Sequence, residues 1–243
     1  MVAQASTASE RGTEARPSLF MEQRAGLEFM QLMTSPVYYG WGVARGAGAP
    51  VMVIPGFMGS DRYLTVLRGW LRRTGYHPHR SGIWLMAGSP YDLMARIIAR
   101  AEEIHTLEGR RIKVIGHSMG GIMARILARL RPDMIEQVIT LGSPLSEYPR
   151  QAAHPMVQVA AEFVVRDRSI PLEMERGLMG LLADPLPADV RMTAIYTKQD
   201  PIVDWRACID PDPRAESIEV CGTHTGLSWN SQVYRHLGEL LAA

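Results

Sequence analysis

Between Val51 and Leu241, short apolar runs alternate with segments whose apolar residues recur every three or four positions. The run Val51-Met52-Val53-Ile54 predicts a buried strand, followed by a loop at 55–60 and a helix over 61–74. A second strand falls within 76–84 and a helix within 90–107. Next come a strand over 111–115, a helix over 120–130 that stops before Pro132, and a strand over 138–141. After a gap, strands are predicted at 192–196 and 217–220, with a closing helix over 232–241. Strands alternating with helices of this length imply a mostly parallel sheet covered by helices on both faces, an α/β fold.

Two stretches depart from the alternation. Residues 1–17 have no apolar period and end at Pro17, which predicts a flexible leader ahead of a single domain over 18–243. From 146 to 188 the pattern lapses into scattered helical spacing with many apolar side chains, among them Met156, Phe163, Met174, Leu178, Met179 and Leu182, as expected of a small helical cap insertion. Ahead of the sheet, Phe20, Leu27, Met30 and the Phe29/Met33 pair predict an amphipathic helix over 19–33. Packing on the domain is its simplest role, with a membrane-surface or substrate-entry role as the alternative.

Charge narrows the functional classes. Lys plus Arg number 26 against 25 Asp plus Glu, so no global field recruits nucleic acid or an anionic membrane. No run of about 18 apolar residues predicts a membrane span. Met1 to Glu10 is polar rather than signal-like, and the expected compartment is the cytoplasm, although a processed secreted protein would look similar. Two cysteines, Cys208 and Cys221, form no zinc pattern. A bridge between them and two unpaired thiols both fit the sequence. Neither metal nor cofactor is implied, and the partner sought is a small molecule or lipid bound at a local site.

The candidate chemistry lies at Gly116-His117-Ser118-Met119-Gly120-Gly121, between a buried strand and a helix, where a Gly-x-Ser-x-Gly nucleophile elbow must sit. The turn is so tight that side chains at 116 and 120 would meet neighbouring backbone, and it exposes the Ser118 hydroxyl at a helix N-terminus. There the Met119 N–H and the helix dipole can face a developing oxyanion. A serine hydroxyl needs a base, and the base needs an orienting acid. His224 lies in a Gly-bracketed loop before the last helix. Asp200 follows the strand at 192–196, and the rival Asp204 fits equally well as the N-cap of a short helix. His117 reads as structural by its place in the turn. With Met58 it borders the expected pocket, and Met119 is counted there as well.

Gly-His-Ser-Met-Gly-Gly at 116–121, Tyr-Thr-Lys-Gln-Asp-Pro-Ile-Val-Asp-Trp at 196–205 and Thr-His-Thr-Gly-Leu at 223–227 together resemble the lipase/esterase branch of the α/β-hydrolase superfamily, from about Pro50 to the C-terminus. The resemblance implies the triad Ser118, Asp200 and His224, and the apolar-Val pair after the acid favours Asp200 over Asp204. It also implies an oxyanion hole of the Phe57 and Met119 N–H groups, although Pro55-Gly56 stands here in place of His-Gly. The expected activity is hydrolysis of carboxylic esters with a hydrophobic acyl or alcohol moiety. An acyltransferase or thioesterase with the same triad, and a catalytically silent binding protein, are the alternatives.

Overall fold

The structure is a computed structural model and describes residues 17–145, 152–158 and 177–243. Among them, six strands form one parallel sheet in the order β2-β1-β3-β4-β5-β6. They are β1 (Pro50–Ile54), β2 (His77–Arg80), β3 (Ile112–His117), β4 (Ile135–Leu141), β5 (Arg191–Tyr196) and β6 (Glu216–Glu219). The helices are α1 (Ala25–Thr34), α2 (Thr65–Arg73), α3 (Pro90–Glu108), α4 (Met119–Leu130) and α5 (Ser231–Leu240).

The sheet is sandwiched. Met52 and Ile54 of β1 point into a core with α3 and α4, built from Leu93, Ile97, Ile104, Met123 and Leu127. Val51 and Val53 point the other way, against Leu67, Trp70 and Leu71 of α2, Val233 and Leu237 of α5, and Leu32 of α1. Each fully buried aliphatic side chain contributes about 1.5–3 kcal/mol relative to exposure. Burial on both faces explains why β1 reads as a continuous apolar run, and in β3 it extends to Lys113 and His117. The edge strands are exposed and polar, His-Pro-His-Arg in β2 and Glu-Ser-Ile-Glu in β6.

Chain order reverses between β1 and β3. In register, Ile54 pairs with Gly116, so the loops leaving these two strands lie side by side at the carboxyl edge of the sheet. A crevice at such a switch point is where open parallel sheets bind ligands.

Several boundaries differ from the sequence expectation. Helix α2 begins at Thr65 rather than 61, because Asp61 accepts the Ser81 and Gly82 N–H groups at 3.0 Å each instead of starting a helix. That same anchoring turns the chain after Arg80 and leaves β2 four residues long. The expected helix over 19–33 is a 3₁₀ segment, Leu19–Arg24, running into α1. Phe20, Leu27 and Met30, the expected packing face, are exposed, whereas Ala25 and Leu32 are buried. The side turned to the protein carries Glu22 and Glu28, whose carboxylates find backbone donors there.

Residues 142–190 join β4 to β5. Their described portions include a helical turn at 155–158, an antiparallel bridge between Ala153 and Val203, and a second helical turn at 177–180. Leu178, Leu182 and Leu186 are buried in the core under α4, so this end of the expected cap belongs to the body of the domain. Phe163 and Met174 lie outside the described residues, as does the leader up to residue 16. No helix among the described residues is long and apolar enough to cross a membrane.

Candidate active site

Strand β3 ends at His117, and the chain reverses into α4 through Ser118, whose backbone has φ 53° and ψ −124°. That conformation costs a non-glycine residue of order 1–3 kcal/mol and persists only where its surroundings enforce it. They do so by close packing. A Cβ on Gly116 would lie 2.4 Å from the Gly120 carbonyl oxygen, and one on Gly120 would lie 2.4 Å from the carbonyl oxygens of both Ile54 and Pro55. Gly121 abuts Ser143 just as closely. The Ser118 N–H donates to the Leu141 carbonyl at 2.8 Å, which ties the turn to the end of β4. Met119 is the first residue of α4, so its N–H has no acceptor within the helix.

The loop after β1 runs beside this turn, with Gly56 packed so closely that an added Cβ would be 3.0 Å from the Ser118 Cβ. Phe57 follows, and Met58 adopts a left-handed φ of 57° while its N–H donates to the Met86 carbonyl at 3.0 Å. Both residues border a cleft of about 300 Å³ with Tyr63, Ser118, Val157, Ile202 and His224. Met58 is about half exposed at its rim. The Met119 side chain instead packs against the core beneath α3 and α4 and does not line the cleft. Two larger depressions, of about 580 and 430 Å³, lack a serine, histidine and acid set.

Asp200 and His224 meet at the ends of β5 and β6. The His224 Nδ1 is 2.6 Å from Asp200 Oδ2, and Asp200 Oδ1 accepts the Ile202 and Val203 N–H groups at 2.7 and 2.8 Å. Asp204 stays apart, with its Oδ1 accepting the Arg206 N–H as the cap of the 3₁₀ turn Trp205–Cys208. Burial disfavours the charged form of His224. The charge and hydrogen bond of Asp200, with the charge of Glu22, outweigh it and raise the imidazole above its ordinary 6.5. His117 behaves oppositely. Burial, then the charge of His224, pushes it down to about 3, so its neutral ring donates Nε2–H to the His224 carbonyl at 2.9 Å. His117 thus borders the cleft with a ring already committed to the backbone, and its Nδ1 has no partner among the described residues.

Three further residues, which no local pattern singles out, hold the histidine loop. Glu22 accepts the N–H groups of His224 and Thr225 at 2.8 and 3.0 Å, and Glu28 accepts that of Thr223 at 2.9 Å. The Tyr63 hydroxyl lies 3.0 Å from both the Thr225 carbonyl and Ser228 Oγ, and burial pushes its pKa up to about 12. Cys208 is buried and Cys221 exposed, and both are free thiols. Among the described residues, no group of three His, Cys, Asp or Glu side chains is placed to hold a metal.

A parallel sheet with a strained serine at its switch point and the order serine, acid, histidine along the chain defines a class. The chain has the α/β-hydrolase fold, and its similarities lie with proteins of that superfamily. The family of the PGAP1-like alpha/beta domain matches residues 91–166. The chain is 22% identical to a triacylglycerol lipase of Burkholderia plantarii over 129 residues, 49% of this chain and 36% of that lipase. It is 27% identical to the sn-1-specific diacylglycerol lipase ABHD11 of Xenopus laevis over 137 residues, 54% of this chain and 44% of that relative. The match thus spans less than half the length of either relative. In structure, mature Bacillus licheniformis lipase BlEst2 superposes with a TM-score of 0.60 at 16% identity, covering 83% of this chain and 95% of that one.

Proposed function

We propose that this protein is a serine hydrolase that cleaves carboxylic esters through an acyl-enzyme on Ser118. One observation carries the reading: a nucleophile turn with Ser118 at φ 53° shares a cleft with His224, whose Nδ1 is 2.6 Å from a carboxylate that two backbone N–H groups fix in place.

His224, neutral and protonated on Nδ1 toward Asp200, takes the Ser118 proton on Nε2 as Oγ attacks the ester carbonyl carbon. The carbonyl oxygen becomes an oxyanion and accepts the Phe57 and Met119 N–H groups; one such donor supplies roughly 3–4 kcal/mol in known cases. Collapse breaks the carbon–oxygen bond to the alcohol, which leaves with the proton from His224. Water, losing a proton to the same nitrogen, then attacks the acyl-serine and returns the acid and free Ser118. Asp200 holds the tautomer and stabilises the imidazolium in both halves.

Phe57, Met58, Val157 and Ile202 give the cleft apolar walls, which favours a hydrophobic acyl or alcohol moiety. The lipases similar to this chain support a lipid or small-molecule ester as substrate. In this reading the front of the β4–β5 connection acts as a cap, with Val157 contributed from it to the cleft. The test is hydrolysis of p-nitrophenyl esters of increasing acyl length by the wild type and by Ser118→Ala. Turnover lost by about 10³-fold or more in the variant supports the reading. An unchanged rate, or no turnover of any ester by the wild type, contradicts it.

A further inference from the structure

The segment ahead of the sheet is chemically joined to the candidate triad. His224 offers three polar groups besides Nε2. Asp200 takes Nδ1, His117 takes the carbonyl, and Glu22, more than 200 residues earlier in the chain, takes the backbone N–H. Both Glu22 oxygens are used, Oε1 by His224 and Oε2 by Thr225, so one carboxylate grips two successive amides as a fork. Glu28 takes the preceding Thr223 N–H, six residues further along the same helical segment. The grip is close. A Cβ on Gly226 would fall 1.9 Å from Glu28 Oε2, and one on Gly222 would fall 2.9 Å from it, so the loop is shaped to admit these carboxylates. Hydrogen bonds to an ionised acceptor are shorter and roughly twice as strong as neutral ones, which makes a carboxylate the effective clamp for a loop of free N–H groups.

We propose that Glu22 is a positioning residue for His224, and that the Leu19–Thr34 segment is therefore a working part of the active site. The proposal rests on the serine hydrolase reading above. Glu22 touches neither substrate nor the reacting atoms; it acts through the histidine backbone and through its negative charge. Around the imidazole the ionisable groups are Asp200 from the loop after β5, His117 from the elbow and Glu22, with Tyr63 from the loop after β1 against the His117 ring. Around Glu22 they are His224, Glu28 and Tyr63. Of the two carboxylates near the ring, Asp200 holds the side chain, so Glu22 sets both the placement of the backbone and part of the field. A small displacement of a catalytic group costs up to about 10²-fold in rate, so loosening this clamp belongs in kcat rather than in substrate binding.

The experiment uses the full chain as wild type, Glu22→Gln and Glu22→Asp. It reads the His224 ring titration by NMR beside kcat and KM for a p-nitrophenyl ester across pH, with melting curves to establish folding. In Glu22→Gln, which keeps one acceptor oxygen and loses the charge, the His224 midpoint and the acid limb of kcat/KM both move to lower pH. Its kcat falls about tenfold, while KM stays within about twofold. Glu22→Asp, which keeps the charge, retains the wild-type midpoint and recovers part of kcat. A folded Glu22→Gln protein with unchanged His224 midpoint and kcat overturns the proposal, even if its melting temperature falls. A wild type that turns over no ester overturns the hydrolase reading and the catalytic purpose of the clamp, whereas the NMR midpoint still reports whether Glu22 governs His224.

Discussion

Ser118 and His224 are held by opposite means. The serine is forced into its backbone conformation by contacts that leave no room for side chains at 116 and 120, and the histidine is drawn into place by hydrogen bonds to its Nδ1, N–H and carbonyl. The acid illustrates how finely a single residue is assigned. Asn at 200 can keep accepting the Ile202 and Val203 N–H groups through its one oxygen, which turns its amide toward the imidazole. That amide donates to Nδ1, leaving the proton on Nε2, where the Ser118 proton has to go. Asp200→Asn is therefore expected to fold and to lose roughly 10³–10⁴-fold in kcat, as measured with a p-nitrophenyl ester. Asp204→Ala, by contrast, removes a cap on a 3₁₀ turn and a part-exposed ion pair with Arg206, and is expected to keep kcat/KM within about twofold at a cost of about 1 kcal/mol.

At the scale of elements, α4 connects the elbow to the rest of the fold through Arg125. Its guanidinium is fully buried, contacts Asp210 through Nε at 2.5 Å and Nη2 at 3.0 Å, and donates to the carbonyls of Leu181 and Asp184. One side chain thereby binds the nucleophile helix to the returning end of the β4–β5 connection and to the loop before β6. Asp210→Ala strands a buried cation, and a loss of about 3–5 kcal/mol in urea denaturation is expected. A loss below about 1 kcal/mol would show that the pair is not structurally decisive. What the sequence makes legible follows from range. Strand β3, the elbow and the acid and histidine loops are written in contiguous residues, as are the buried strands β1, β4 and β5. The Leu19–Thr34 segment turns Glu22 and Glu28 inward rather than Phe20, Leu27 and Met30, because the carboxylates meet partners about 200 positions away, and no local period records such partners. Strand β2 lies inside the expected 76–84 and stops at Arg80 because the residues after it are captured by Asp61, again a contact between distant positions.

The whole molecule combines two cores, one on each face of the sheet, with charged groups whose pH responses oppose one another. Asp212 is held down at about 2, chiefly by the Arg214 side chain, so its contribution to stability is present above about pH 4 and is lost as pH falls toward 2. His224 is raised on folding, so its contribution is fully present below about 6.5 and fades as pH climbs through the folded value. Activity runs the other way, since only the neutral imidazole accepts a proton. The ester hydrolysis rate is expected to fall on acidification with a midpoint above 6.5, while the melting-temperature advantage of wild type over His224→Ala narrows as pH rises from about 5.5 to 8.5. A rate midpoint at or below 6.5 would contradict the arrangement of Asp200 and Glu22 around the ring.

The central claim is that Ser118 is a nucleophile activated by His224. Reaction of the wild type with a fluorophosphonate, followed by peptide mass spectrometry, tests it most directly. The account predicts a single adduct on the peptide carrying Ser118, absent in Ser118→Ala and formed at least about 10²-fold more slowly in His224→Ala. A wild type that remains unmodified, or an adduct on another serine with Ser118 untouched, would contradict it.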